Sequence, residues 1–309
     1  MADSDLAAYA AASIAKGSKS FAAAAKLFDR ETRESVIMLY AWCRHCDDVV
    51  DGQEAGSAIR CFDVRTPQER IDGLKRDTAL AFEGRTDGLD PSFAAFAEVV
   101  RRHGIGRDLA EEHLAGFEMD VGGRTYETLD DLMLYSWRVA GVVGVMMAQI
   151  MGVTDEQTLD RASDLGLAFQ LTNIARDVVD DAKAGRVYVP LRWVRDEGIE
   201  PADLADPSHA REIANLRDRL VSAAEDYYFS ARIGIDALPR RSAWAIGTAW
   251  GIYRMIGVKL VAKGEAGFAG RISTRDGEKF GQMLEGARMA LLRGGGREPR
   301  PADLWQRPR

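Results

Sequence analysis

Nearly every stretch of this 309-residue chain that is long enough to carry a pattern carries the helical one. Over residues 30–51, apolar side chains recur at Val36, Leu39, Tyr40, Cys43 and Val50. That spacing of three, four or seven is the stripe a helix buries against its neighbours. Residues 129–151 are apolar nearly all round, which predicts a central helix enclosed by others. The pattern continues over residues 159–181 through Leu165, Leu167, Ala168, Leu171, Ile174 and Val178. Further helices are predicted over 209–235, 241–263 and 277–292. Strand-like alternation is missing apart from Val187, Tyr188 and Val189, which Pro190 cuts off. Asp51-Gly52, Gly122-Gly123 and residues 185–190 punctuate the helices, and 86–91 and 200–207 read as loops. The expectation is an all-α chain with one domain over 1–293. An irregular tail follows over 294–309, where three glycines and three prolines accumulate.

Such a fold must be reconciled with the charge. The formal net charge is -7, which speaks against nucleic acid as a partner. The alanine-rich start carries Asp3 and Asp5 where a secretory signal would be positive. The longest apolar run, 139–153, is interrupted by Gln149 and falls short of the roughly 20 residues that span a bilayer. It reads as a buried helix. Three cysteines, an odd number, suit a reducing compartment better than a disulfide framework. The expected location is cytoplasmic, with peripheral attachment to a membrane left open. Cys43 and Cys46 flank His45 in a CxxC, but no second ligand pair accompanies them. They read as small residues of a helix.

Two acidic clusters carry the chemistry. Asp47, Asp48 and Asp51 close one apolar helix, and Asp177, Asp180 and Asp181 close another. In each, the first and last aspartates are four positions apart, so a helix sets both on one face about a turn apart. Like charges at that spacing repel, and a helix C-terminus disfavours negative charge. Both clusters therefore invite a counter-ion. Magnesium fits, because it takes a few carboxylates and leaves positions for water and substrate phosphate. Arg44, three residues before Asp47, is placed either for an intrahelical ion pair or for phosphate oxygens. Gln170, Asn173 and Asp177 recur at i, i+3 and i+7, a polar face on an otherwise apolar helix.

Several stretches together resemble the squalene/phytoene synthase family. They are Gly17-Ser18-Lys19-Ser20-Phe21, Leu39-Tyr40-Ala41-Trp42-Cys43-Arg44 with the first cluster, and Val139-Ala140-Gly141-Val142-Val143-Gly144. Residues 170–181, the following 185–190 and the closing Leu304-Trp305-Gln306-Arg307-Pro308 belong to the same resemblance. Within the family the match is strongest to bacterial members of carotenoid pathways. The resemblance implies an all-α isoprenoid (terpenoid) synthase fold, its helices around a central apolar cavity and the two clusters facing each other across the mouth. It implies head-to-head condensation of two geranylgeranyl diphosphates through prephytoene diphosphate to phytoene, with release of diphosphate.

Catalytic roles are implied for Asp47, Asp51, Asp177, Asp181, Tyr40 and Arg44. Substrate contacts are implied for Ser18, Lys19, Ser20, Phe21, Arg44, Val139, Gly144, Gln170, Asn173, Arg176 and Tyr253. Asp47, Asp51, Asn173, Asp177 and Asp181 would hold Mg2+, with Mn2+ as the substitute. Phe21, Tyr40, Phe169 and Tyr253 are the aromatic candidates for the cavity wall, and Lys19 and Arg271 would add charge near the diphosphate. No nicotinamide fingerprint occurs, so no nicotinamide cofactor is expected. Other carotenoid-pathway enzymes are expected partners. The competing readings are a squalene or dehydrosqualene synthase acting on farnesyl diphosphate, a simple chain-elongating prenyltransferase, and a non-catalytic assembly or lipid-carrier relative. The last need not keep both clusters.

Overall fold

The computed structural model describes residues 3–17, 19–52, 65–294 and 298–308, the side chains of 3–5, 16, 17, 19 and 20 excepted. Among these residues lie thirteen α-helices and no strand. In chain order they are α1 (Asp3–Gly17), α2 (Lys19–Ala25), α3 (Arg30–Asp51), α4 (Pro67–Phe82), α5 (Pro91–His103), α6 (Arg107–Val121) and α7 (Leu129–Ser136). Then come α8 (Val142–Ile150), α9 (Glu156–Lys183), α10 (Leu191–Asp196), α11 (Ala210–Ile235), α12 (Arg240–Lys263) and α13 (Asp276–Leu291).

Local chemistry sets the two helices that end in acid. Asp29 caps α3 by accepting from the Thr32 amide at 3.0 Å, and Gly52 stops it in the left-handed region at φ 65°. Only glycine enters that region without strain. Asp155 caps α9 through the Thr158 amide at 2.9 Å. With 28 residues, α9 is about 42 Å long, enough to cross the whole bundle.

Helix α9 packs most extensively on α11 and also lies against α8 and α12. The approach to α8 is close because glycines lie on both sides. A Cβ on Gly144 would lie 2.3 Å from the Ala162 carbonyl oxygen, and one on Gly166 would lie 2.4 Å from that of Ala140. Between α7 and α8, Trp137–Gly141 forms one π turn, an extra residue per turn that the periodicity does not reveal. Through this turn Leu129–Ile150 runs on as 22 residues, long and apolar enough to cross a bilayer by length and composition. The uninterrupted apolar run alone understates that length. In the fold, 61% of its apolar window is buried inside the bundle, as a central helix requires.

Buried apolar side chains from Leu6 to Leu304 belong to one contiguous core. The strand-like Val187, Tyr188 and Val189 form no strand. Their segment leads into Leu191 and Arg192, whose amides donate to the carbonyls of Tyr126 and Glu127 at 2.8 and 3.2 Å.

A candidate active site at the mouth of an apolar cavity

The central helices leave a cavity of about 470 Å³ between α3, α6, α8, α9, α11 and α12. Its walls are apolar, with Val139, Ala140, Val143, Gly144, Met147, Leu165, Gly166 and Ala249 among them. Gly144 lines the cavity, and its missing side chain is what lets the helices meet there. All four aromatic candidates are on the wall. Phe21 stacks on Tyr40 at 5.4 Å between ring centroids, and Phe169 on Tyr253 at 4.2 Å. Burial pushes the Tyr40 hydroxyl up to about 12, so it stays a neutral donor.

One end of the cavity is charged. Arg44, Asp47, Gln170 and Asn173 all line it, which brings α3 and α9 to a common mouth. Arg44 pairs with Asp47 at 2.9 Å and with the buried Asp48 at 2.5 Å. Its Nε is a buried donor without an acceptor among the described residues. Desolvation by the cavity walls, reinforced by Asp51 and Asp48, raises Asp47 to about 6 although Arg44 works against it. In the second cluster, burial alone would push Asp177 up. Arg176 at 2.5–2.8 Å and Arg271 at 3.0 Å more than offset that and hold it below the usual carboxylate range. Asp181, desolvated and beside Asp177, rises to about 7. Arg186 links the two clusters. It pairs with Asp51 at 2.7 Å, and its field also reaches Asp181.

Asp51, Asp177, Asp181 and Arg176 therefore stand at the rim and do not line the cavity itself, whereas Phe21, Tyr40, Arg44, Asp47, Val139, Gly144, Gln170, Asn173 and Tyr253 do. Ser18 lies outside the described residues, as do the side chains of Lys19 and Ser20. The cysteine pair takes no part in the charged mouth. Cys43 lines the cavity and Cys46 is buried behind it, both as free thiols whose ionisation burial disfavours. Cys61 falls outside the described residues.

Three residues of the site escaped the sequence reading. Asp120 lines the cavity and accepts from the hydroxyls of Tyr135 at 3.0 Å and Tyr188 at 2.9 Å. Burial raises it despite those two bonds. A signal existed, because His113, Phe117 and Asp120 stand at i, i+4 and i+7 of α6 and all reach the cavity. Arg186 and Tyr188 sit inside the 185–190 motif, which in sequence marks only a loop.

Six carboxylates at the mouth (Asp47, Asp48, Asp51, Asp120, Asp177 and Asp181) face four guanidiniums (Arg44, Arg176, Arg186 and Arg271). Negative charge is in surplus, and burial holds Asp47, Asp120 and Asp181 above the usual carboxylate range. No group of three or more His, Cys, Asp and Glu side chains among the described residues closes into a ready-made metal cage. An oxygen-only, half-open donor set of this kind fits magnesium, which keeps positions for water and phosphate, and does not fit a structural zinc.

An all-helical body around an apolar cavity with paired aspartate clusters at its mouth defines a class, and the sequence comparison identifies it. A family model described as squalene/phytoene synthase matches residues 14–278, and the chain belongs to that family. It is 52% identical over 301 residues to the 15-cis-phytoene synthase of Pantoea ananas, covering 97% of each chain. It is 48% identical over 307 residues to that of a Paracoccus species, covering 99% of each. Among solved structures, a dehydrosqualene synthase in complex with ligand superposes with a TM-score of 0.78 at 25% identity, over 93% of this chain and 96% of the other. The fold is that of the isoprenoid synthases.

Proposed function

We propose that this protein is a phytoene synthase, joining two molecules of geranylgeranyl diphosphate head to head in carotenoid biosynthesis. One observation carries the reading: an apolar cavity whose acidic end unites Arg44, Asp47, Gln170 and Asn173. That geometry suits an amphiphile with a long hydrocarbon tail and a diphosphate head. Thr158 and Asn173 both line the cavity and are fifteen residues apart on α9, a depth of about 22 Å. At about 1.2 Å per bond, as in an extended backbone, the sixteen-carbon main chain of a C20 tail spans about 18 Å and a C15 tail about 13 Å. The depth favours the longer tail, as do the names of the relatives.

Asp47, Asp51, Asn173, Asp177 and Asp181 are the groups that would hold magnesium, which when bound supplies Lewis-acid stabilisation of the leaving diphosphate. Arg44, Arg176, Arg186 and Arg271 supply fixed positive charge to phosphate oxygens, and Tyr40 and Tyr253 stand where they can donate to the same head group. Departure of diphosphate leaves an allylic cation. The double bond of the second substrate attacks it, and loss of a proton closes the cyclopropane of prephytoene diphosphate. A second ionisation, rearrangement and proton loss give phytoene. Two substrates thus yield one hydrocarbon, two diphosphates and two protons, with no net oxidation or reduction. The stacked pairs Phe21–Tyr40 and Phe169–Tyr253 present aromatic faces to the cation, worth about 0.5–2 kcal/mol each, and the apolar wall keeps water away. Asp120, held by two tyrosine hydroxyls, is the wall carboxylate suited to take a proton.

Incubating the purified protein with geranylgeranyl diphosphate, with and without Mg2+, and separately with farnesyl diphosphate tests the reading. Phytoene formed only with the metal supports it. A C30 hydrocarbon as the sole product would overturn it in favour of a squalene-type relative.

A further inference from the structure

At the end of the cavity away from the acidic mouth, residues 298–308 lie across the first turns of α9. Arg300 donates twice to Asp164, at 2.9 and 2.7 Å. Asp164 is fully buried and also accepts from the Ser230 hydroxyl of α11 at 2.5 Å. Arg307 pairs with Asp160 at 2.6 Å and with Glu156 at 2.5 Å. Leu304 enters the core, and the Trp305 amide donates to the Tyr227 hydroxyl at 3.3 Å.

Beneath this strap, Arg161 is part of the cavity lining, yet its guanidinium is engaged elsewhere. It donates to the carbonyl and hydroxyl of Ser230 at 3.1 and 3.2 Å and to the Glu298 carbonyl of the tail. The stem of Arg161 is wedged at Gly234, where an added Cβ would come within 2.7 Å of the Arg161 Cβ. The tail therefore neutralises Asp164, buried behind the cavity wall, and orients the floor residue Arg161. A buried Asp164 deprived of Arg300 would be an uncompensated charge, and local opening would let water reach it. Asp164 is thirteen residues along α9 from Asp177, about 20 Å from the ionisation chemistry. What it can govern is the far end of a prenyl chain.

We propose that residues 298–308, packed behind the cavity wall, hold the floor residue Arg161 in place and so set the longest prenyl chain the cavity accepts. This rests on the prenyl diphosphate reading above.

The test compares the wild-type chain, a chain ending at Gly294, Arg300→Ala and Trp305→Ala. Each is given geranylgeranyl diphosphate (C20) or geranylfarnesyl diphosphate (C25) with Mg2+, and hydrocarbons and prenyl alcohols are quantified. Circular dichroism and thermal melting report folding. In the wild type, the C25 substrate is expected to be disfavoured roughly 100-fold in kcat/KM, the scale on which a closed pocket rejects extra methylenes. Opening the floor should bring the two substrates within about tenfold and release prenyl alcohol as water quenches the cation. Folded variants with an unchanged C25-to-C20 ratio and no alcohol would overturn the proposal. So would a wild type that accepts C25 freely, and so would loss of folding in all three variants, which would make the tail a structural clamp alone. Failure of the underlying reading is a separate result, namely wild-type protein that releases no diphosphate from the C20 substrate.

Discussion

The two acidic clusters share their outer spacing, aspartates four apart in the last turns of a helix, and yet they are held in different ways. In the first, the neighbour Asp48 is buried and pairs with Arg44, which also reaches Asp47 at 2.9 Å, yet desolvation still raises Asp47 to about 6. In the second, the leading Asp177 takes both guanidiniums, Arg176 and Arg271, and is held low, while the trailing Asp181 rises to about 7. The extra acid, Asp180, is exposed. Each cluster thus combines one carboxylate bound by arginine with another that desolvation raises despite the guanidiniums near it. A repeated motif supplied the ligand type twice, and the tertiary surroundings decided which oxygen in each copy remains available.

The difference can be broken at its strongest points first. Asp47→Asn and Asp177→Asn should each lower turnover of geranylgeranyl diphosphate at least about 10³-fold, or about 4 kcal/mol, with melting little changed. Retained activity in both would refute a two-cluster metal site. Asp48→Asn should act on stability instead. It removes one partner of a buried ion pair, a cost of about 3 kcal/mol, which a denaturation midpoint will show. Arg186→Gln removes the pairing between Arg186 of the loop after α9 and Asp51 at the end of α3. The two clusters then lose a shared guanidinium, and kcat/KM should fall about 10–100-fold, or about 1.4–2.7 kcal/mol, without loss of fold.

The contrast also locates what the sequence could reveal. Helix α3 was legible to the residue, because Gly52 stops it and its apolar stripe is long, and α9 to within three residues, its Asp155 cap lying ahead of the first apolar position. The clusters were legible because i, i+4 spacing is itself a statement about a helix face. Arg44, Arg176 and Arg271 were legible as candidates, but which carboxylate each holds was not, and Arg186 was not singled out. Arg271 reaches Asp177 across 94 positions, and Arg186 reaches Asp51 across 135. Such pairs leave no local pattern. The same holds for Asp120 with Tyr188 and for the tail, whose glycines and prolines suggested irregularity but not that its arginines fasten it to α9. Helices α4 to α6 went unassigned, and the π turn at Trp137–Gly141 shifts a phase that periodicity alone treats as constant.

Protons sharpen the comparison further. Asp47 and Asp181 have folded-state values raised to about 6 and about 7, so a cation competes there with protons. Magnesium affinity should fall as pH drops from 8 through 7 and 6, by up to about tenfold per unit for each proton displaced. In the metal-free protein the linkage runs the other way. Raised carboxyls contribute stability that is complete below their unfolded values near 4 and is lost as pH rises through the folded ones. Asp177, held low, stays charged throughout that window. Thermal melts should therefore show a larger rise on adding Mg2+ at pH 8 than at pH 5.5, and equal rises would contradict the assignment.

The smallest expected effect is the most discriminating between motif and environment. Asp180 completes the second cluster as Asp48 completes the first, so a reading based on aspartates alone gives them equal weight. Asp48 is 3% exposed and held by Arg44, whereas the Asp180 carboxylate lies at the surface and contributes to its neighbours only through its field, chiefly on the buried Arg217. An exposed charge of that kind is worth roughly 0.5 kcal/mol or less. Asp180→Asn should thus melt within a degree or two of wild type and keep turnover within about threefold, a span of about 0.7 kcal/mol. Comparing it directly with Asp48→Asn in one denaturation series measures the difference. If the two variants lost equal stability, the burial of Asp48 against Arg44 would not be what separates the clusters. If Asp180→Asn instead lost activity on the scale of Asp177→Asn, the metal would be held by a different face of α9 from the one that Asn173, Asp177 and Asp181 share.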